Sequence, residues 1–488
     1  MFGLDWRSLA LLRIGLALVI LADLWVSAQN LRAFYTDDGV LPRQLVEDNF
    51  PSSFCVHLWG GSFGFEAGLF ALEAACALMM LVGYRTRLAT VAGWFLLVSR
   101  QARNPLVQFG ADMIERLAMF WAMMLPLNRR YSVDAALGRV PATGEPSYLG
   151  VAGFCAIVQF LLIYVMSALM KTGPTWQTEH SAVYYALSLE MYARPLGQWF
   201  NQFDPLTTFL TVYTLYLEFF GPFLLVSPVA RKWTRLLGIA LLGSLQLGFG
   251  ICMQMGLFWV ATDVFLLMFV PAEFWSELAE PVGRKLAGLW KISLARGKLS
   301  ARVATEPPPA TAWRRRATRG LGWLRDGALL VVLAGAVAMN IGILPGHSKL
   351  LPPREFAAME TLGLDQGFGM FAPDPQMDDG WFVIRGWEQN GRSVNVLTGA
   401  SPATLAKPAD VPATYIDQRW GSLFFDFIYP EYSKYLEGTA DYLAEQWDET
   451  HPDNENLQSI EIIFMHQVVG PHHTKSAPVV DPLWSETF

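Results

Sequence analysis

Cysteine is scarce in this chain: Cys55, Cys76, Cys155 and Cys252 are the four among 488 residues, scattered, with none in the long C-terminal segment. That spacing excludes a disulfide framework and a thiolate metal site as organising devices. Charge is scarce as well. Only 16% of residues are Asp, Glu, Lys or Arg, against 53% hydrophobic, and the mean hydropathy is +0.29, a profile that excludes an ordinary water-soluble domain and fits a membrane protein. A cleavable leader is not evident. The first apolar run carries Arg13 and Asp23 and lacks a small-residue cleavage site, so it is expected to stay as a helix.

What the chain has in quantity is apolar runs of about 20 residues, the length that crosses a hydrocarbon core of about 30 Å. They fall near 8–28, 63–83, 88–103, 110–127, 149–170, 206–227, 234–254, 257–275 and 326–344. The fold class expected is an all-α polytopic membrane bundle of about nine transmembrane helices, followed by a C-terminal extracytoplasmic α+β or β-rich domain. Its parts are a helical domain over 1–275, a basic linker over 276–325, a last transmembrane helix over 326–345 and the tail over 346–488.

Charge is divided sharply between these parts. The linker holds eleven Lys and Arg against three acids, including Arg314-Arg315-Arg316, whereas the tail carries twenty-one acids against eight bases. A basic loop on anionic lipid explains the linker better than a nucleic-acid partner does, so the bilayer is the partner expected and nucleic acid is not. Basic residues also follow every second run: Arg85 and Arg87, then Arg129, Arg130 and Arg139, then Arg231, Lys232 and Arg235. The positive-inside rule places these loops and the N-terminus in the cytoplasm, as for a multi-pass protein of a cell inner membrane, with the tail on the periplasmic side. Arg100 and Arg103 fall in a loop that this scheme puts outside.

Two four-helix units are suggested by matching segments, with one helix added. Leu72-Glu73 precedes Arg85-Thr-Arg87-Leu88 as Leu217-Glu218 precedes Arg231-Lys-Trp-Thr-Arg235-Leu236, and Asp112 has a counterpart in Asp263. Four helices per unit make the repeat parallel rather than inverted. In the tail, Trp381 to Trp387, Asn390-Gly391 and Ser393 to Leu397 read as a hairpin around a tight turn. An amphipathic helix is expected over 432–447 and a strand over 460–469.

Ionisable groups inside spans are costly and therefore candidates for function. These are Arg13, Asp23, Glu66, Glu73, Asp112, Glu115, Arg116, Glu218 and Asp263. Asp112 and Arg116 are four apart on one face and are expected to pair with each other. Glu73, Glu218 and Asp263 are candidates for a buried acidic relay, or for plain hydrogen bonding between helices. The tail's His466, His472 and His473 lack a completing cysteine or carboxylate, so no metal is expected.

Lys171 ends the fifth run within Tyr164-Val-Met-Ser-Ala-Leu-Met-Lys171-Thr-Gly-Pro-Thr-Trp176. A lysine at a helix end either snorkels to the headgroups or, if enclosed, becomes a tunable base. Gly173-Pro174 breaks the helix there, and Tyr164 at i−7 lies on the same side.

The Tyr164, Lys171 and Trp176 spacing resembles the segment of the vitamin K-dependent gamma-carboxylases that holds their catalytic lysine. Asn104 and Tyr131-Ser-Val-Asp134-Ala-Ala-Leu137 resemble other carboxylase segments. Similarity is closer still to the bacterial horizontally transferred transmembrane (HTTM) proteins, through Arg13-Ile-Gly-Leu, Phe34-Tyr-Thr-Asp-Asp-Gly39-Val-Leu-Pro42-Arg, Asn104-Pro with Gly110-Ala-Asp112, Gly367-Phe-Gly-Met-Phe-Ala-Pro373 and Asp379-Gly-Trp381. The resemblance implies that Lys171 deprotonates a reduced quinone, a vitamin K hydroquinone-like molecule, and that Asn104 donates to the oxyanion. Tyr164, Trp176, Asp112 and Arg116 would form the pocket for quinone and substrate. O2 and CO2 would be co-substrates and a secreted peptide or protein the target. The chain departs from the carboxylases at Pro105, where their motif has histidine. Three functions thus stand side by side: a carboxylase-like lyase, a non-catalytic maturation, immunity or export factor on the same scaffold, and a proton-coupled transporter.

Overall fold

A computed structural model describes residues 2–50, 55–140, 147–281 and 312–488, with backbone alone for 312–319. The apolar runs all become helices: α1 Trp6–Gln29, α2 Phe63–Val82, α3 Thr86–Arg103, α4 Gly110–Met124, α5 Val151–Met170, α6 Asp204–Leu225, α7 Arg231–Cys252, α8 Phe258–Leu266 and α9 Ala312–Gly342. Local signals set their ends. In α2 the Ser62 hydroxyl accepts from the Phe65 amide at 3.4 Å, and Gly83, at φ 71°, closes the helix by donating to Met79 and Met80.

Among the described residues six helices are long and apolar enough to cross a membrane: α1, α2, α5, α6, α7 and the 320–342 part of α9. A seventh follows if Phe258–Phe269 and Ala272–Ala279, bent by 89°, count as one span. The chain thus has the helices of a multi-pass membrane protein. The 88–103 and 110–127 runs are helical but do not qualify, since α3 ends in buried Arg100 and Arg103, and α4 has 15 residues including Asp112, Glu115 and Arg116. Most of the expected linker, 282–311, lies outside the described residues.

Helices α1 to α4 pack in sequence order, α5 to α8 likewise, and α4 joins the two sets by contacting α5 and α8. Helix α9 lies on α5. At one end of the bundle the two-residue strands β1 (Leu4–Asp5) and β2 (Ser147–Tyr148) pair antiparallel.

The tail covers the other end with a four-stranded antiparallel sheet. Its strands, β3 (Asp378–Glu388), β4 (Ser393–Asn395), β5 (Leu457–Val468) and β6 (Val479–Thr487), lie in the order β4-β3-β5-β6. Gly391, at φ 82°, makes the β3–β4 turn. The helices α10 (Gln418–Asp426) and α11 (Leu436–Thr450) complete the domain, α11 against β5.

The expectation of a separate tail is corrected by α10. Asp417 caps this helix by accepting from the Arg419 and Trp420 amides, which aims both side chains into the bundle. The Arg419 guanidinium is buried and donates to Asp23 Oδ1 at 2.5 Å, Asp112 Oδ1 at 3.2 Å and the Val107 carbonyl at 3.1 Å. Trp420 Nε1 donates to Asn30 Oδ1 at 2.9 Å, and its ring lies 4.8 Å from that of Phe34.

Two further sequence expectations fail. Arg100 and Arg103 are not in an exposed loop. Both are fully buried in the last turn of α3. Arg100 bridges Asp23 at 2.6 Å and Glu73 at 3.0 Å, and Arg103 donates to the carbonyls of Leu41 and Thr36. Asp112 and Arg116 do not pair with each other either. Asp112 accepts from the Phe109 amide and from Arg419, while Arg116 meets Asp365 of the tail at 2.7 Å. The tail supplies a better-placed partner to each.

Removing one member of a buried ion cluster strands the others without compensation, at a cost of about 3–5 kcal/mol. Arg419→Met should therefore lower the unfolding free energy by that amount, read by thermal or denaturant unfolding in detergent. Arg385→Met, which breaks the half-exposed Arg385–Glu461 pair on the sheet, should cost under about 1 kcal/mol.

Candidate functional site

Helix α5 stops at Lys171 because Gly173-Pro174 follows. A Cβ on Gly173 would sit 1.8 Å from the Asp374 carboxylate, so only glycine allows the tail loop to close over this turn. The Gly173 amide donates to the Pro373 carbonyl at 3.0 Å and the Thr175 amide to Asp374 Oδ1 at 3.0 Å. The loop that breaks α5 is thereby fastened to the tail.

Lys171 is 2% exposed. Its Nζ donates to Glu218 Oε2 at 2.6 Å and to Ser167 Oγ at 2.6 Å, and lies 5.1 Å from the centre of the Trp176 ring. The amine does not snorkel. Glu218 sits mid-way along α6, four residues before Pro222, which has no N–H to return to the Glu218 carbonyl. An ammonium and a carboxylate in contact, both removed from water, attract each other with little screening by solvent.

Lys171 forms part of the wall of a cavity of about 160 Å³ that is mostly apolar or aromatic, through residues such as Leu187, Phe200, Leu210 and Phe249, with Tyr213, Thr214 and Ser244 as hydroxyl-bearing neighbours. Met370 and Phe371 of the tail close one side, and they also border a larger cavity of about 530 Å³. Phe371 holds a left-handed conformation, φ 58°, with its carbonyl accepting from Trp176 Nε1 at 2.8 Å. The larger chamber lies between α10 and the helices and includes Tyr192, Asp374, Gln376, Asp426 and Tyr429. Burial, with Glu431 adding to it, pushes the Asp426 carboxyl up to about 7.

The other candidates fall elsewhere. Tyr164 is buried, with its hydroxyl accepting from Gln246 Nε2 at 3.0 Å, and neither cavity reaches it. Asn104 is also buried away from both cavities: its Nδ2 donates to the Phe34 carbonyl at 3.1 Å and its Oδ1 accepts from the Leu106 amide at 3.2 Å. Asp112, Arg116 and Glu73 belong to the charge clusters under the tail. Glu115 is buried beside them with both carboxylate oxygens lacking a hydrogen-bond partner. Asp263 Oδ1 is buried without a hydrogen bond. Thus of the residues expected at the site, Lys171, Trp176 and Glu218 come together. Among the tail histidines, His466 meets Asp378 and His473 meets Asp204, and no metal-holding cluster occurs among the described residues.

Sequence reasoning missed the Lys171–Glu218 contact, whose members are 47 residues apart, and missed Asp374 and Asp426. The Gly367 to Pro373 segment was the available signal, since it supplies Met370 and Phe371 to the shared wall. Compared with family models, with curated proteins and with solved structures, the chain matches none.

Lys171→Met should destabilise the protein by about 3–5 kcal/mol by leaving Glu218 buried and unpaired, whereas Lys171→Met with Glu218→Leu should recover most of that loss. Unfolding of the two variants and the parent in detergent measures the difference. For Asp426 the sign follows from a folded-state pKa above the ordinary 3.8. Its contribution is fully present below that value and is lost as pH rises through about 7. Asp426→Asn should therefore raise the melting temperature more at pH 8 than at pH 5, in roughly neutral and mildly acidic buffers chosen to bracket the transition.

Proposed function

We propose that the protein is a membrane enzyme that abstracts a proton from a lipid-soluble substrate, with Lys171 as the base and Glu218 as its proton partner. The observation that carries this reading is the placement of the amine: withdrawn from water, touching one carboxylate, and set in the wall of a mostly apolar cavity. An exposed lysine stays charged and inert at neutral pH, whereas an enclosed one can give up its proton to a neighbour and then accept another. Trp176 holds the amine against its ring face. Phe371, tied to Trp176, separates this chamber from the larger one under the tail.

Within this proposal the chain is an HTTM-type relative of the vitamin K-dependent gamma-carboxylases, a lyase acting on secreted peptides or proteins. Its acidic substrate proton would be a hydroquinone O–H. The mostly aromatic and aliphatic walls, with one amine and the hydroxyls of Tyr213, Thr214 and Ser244, suit such a ring. When bound, the reduced quinone would supply the strong base generated on its reaction with O2, for use with CO2 as the other co-substrate. Lys171 and Glu218 accept and hold the first proton, the apolar walls exclude water, and Met370 and Phe371 stand between the ring and the tail-side chamber. Asn104 takes no part here, because its amide is already committed to Phe34 and Leu106. The proposal also carries nine crossings arranged as two four-helix units plus one, a cytoplasmic N-terminus and a periplasmic tail.

Lys171→Arg keeps the charge but gives up the tunable proton. It should reduce modification by roughly 10²–10⁴-fold, measured as the gain of carboxyl groups on secreted proteins by mass spectrometry in cells with parent or variant. Glu218→Gln should also impair it while leaving the protein in the membrane. A parent-like phenotype for Lys171→Arg would favour a non-catalytic scaffold, and damage by Asp263→Asn and Glu73→Gln alone would favour transport.

A further inference from the structure

The larger chamber under the tail, of about 530 Å³, has walls of a different character from those around Lys171. Aromatic rings make up much of them. The Phe425 ring of α10 lies 5.5 Å from that of Tyr192, in the segment between α5 and α6, and 5.7 Å from that of Tyr429, just past α10. These three rings join bundle and tail in one aromatic wall, and Phe109 lines the chamber as well.

Asp426, the last residue of α10, lines the same chamber. Its carboxylate has no hydrogen-bond or ion-pair partner among the described residues, so it ties no segment of the fold to another. Two more acceptors belong to the wall. Gln418 Oε1 is buried without a hydrogen-bond partner. Asp374 receives both the Thr175 amide and the Thr175 hydroxyl on Oδ1, which leaves Oδ2 without a hydrogen bond. Among the described residues no lysine, arginine or histidine lines the chamber. Arg419, 5.4 Å from the Phe109 ring centre, is committed to Asp23 and Asp112.

Carboxylates and an unpaired carbonyl beside ring faces call for a ligand that is positively charged, rich in N–H donors and at ease against aromatic carbon. An organic ammonium meets all three demands, through charge-assisted hydrogen bonds to the carboxylates and cation–π attraction to the rings. An anion is repelled by Asp374 and Asp426, and a neutral apolar ligand leaves the acceptors unpaired. No metal-holding cluster occurs among the described residues.

We propose that this chamber binds a ligand through an organic ammonium group, with Asp426 as the counter-ion and Tyr192, Phe425 and Tyr429 as the enclosing rings. A free amine and the lysine side chain of a peptide carry the same recognised group. The assignment does not depend on the chemistry at Lys171.

The test titrates the full chain in neutral detergent with phenethylammonium chloride, phenethyl alcohol or Nα-acetyl-lysine N-methylamide, read by calorimetry. An ammonium compound should bind and the alcohol should not. Tighter binding of the lysine derivative assigns the group to a peptide, and tighter binding of phenethylammonium assigns it to a free amine. Equal affinity for the alcohol and its amine, or binding of neither ammonium compound, would overturn the proposal. Asp426→Asn should weaken ammonium binding by roughly 10–100-fold, the loss expected for one charge-assisted hydrogen bond, and parent-like affinity in that variant would also overturn it. The parent offers a readout that needs no variant. Affinity for the ammonium should rise with pH through about 7, where the Asp426 carboxyl ionises. The groups facing that carboxyl are Glu431, Tyr192, Tyr429 and Tyr432, and burial holds the three tyrosines above their ordinary range, so they stay neutral there. A flat profile would overturn the role given to Asp426.

Discussion

A charge taken out of water must find an opposite charge, and in this protein that requirement ties the two ends of the chain together. Arg419, from the tail, lies between Asp23 of α1 and Asp112 of α4, and Asp23 in turn holds Arg100 of α3, which holds Glu73 of α2. Five side chains from five helices form one connected cluster. None of the carboxylates could sit at such depth as an isolated ion, because desolvation alone costs several kcal/mol per group. The tail is therefore part of what allows the first four helices to pack with charged interiors. Its Trp420 and Asn30 contact reinforces the same junction with a hydrogen bond and aromatic packing.

The Lys171–Glu218 pair obeys the same rule on a smaller scale, with a different consequence. The cations of the cluster under the tail are arginines, whose guanidinium groups keep their protons, so it is a fixed electrostatic joint. The Lys171–Glu218 pair instead borders a cavity, so theirs is a joint that a bound molecule can reach. The tail bears on this pair as well, through Asp374 on the Thr175 turn and Phe371 on Trp176. Closing the cavity and anchoring the bundle are accomplished by one domain.

Much of the helical framework was legible in the chain because it depends on local periodicity and length. The Gly173-Pro174 break ended α5 where the sequence placed it, and Asn390-Gly391 made the turn between β3 and β4. Charge pairing was not legible. The i, i+4 rule joined Asp112 to Arg116, yet that rule describes an isolated helix surface. Here each residue had a closer partner more than two hundred positions away, Arg419 for one and Asp365 for the other. The same limit hid Glu218 as the partner of Lys171. Placing Arg100 in a loop failed because a charged residue near the end of a run reads as an exit from the membrane unless its partners are known.

By itself the sequence determined that long apolar helices dominate, where most of them stop, and that an acidic, strand-containing region follows them. These properties are set by neighbours along the chain, through hydropathy, capping and turn chemistry. Tertiary structure alone decided which ions meet, which of the candidate residues share a cavity, and that the tail is built into the bundle. Such facts depend on distances between segments far apart in sequence, and Coulomb attraction and desolvation act through space without regard to position along the chain.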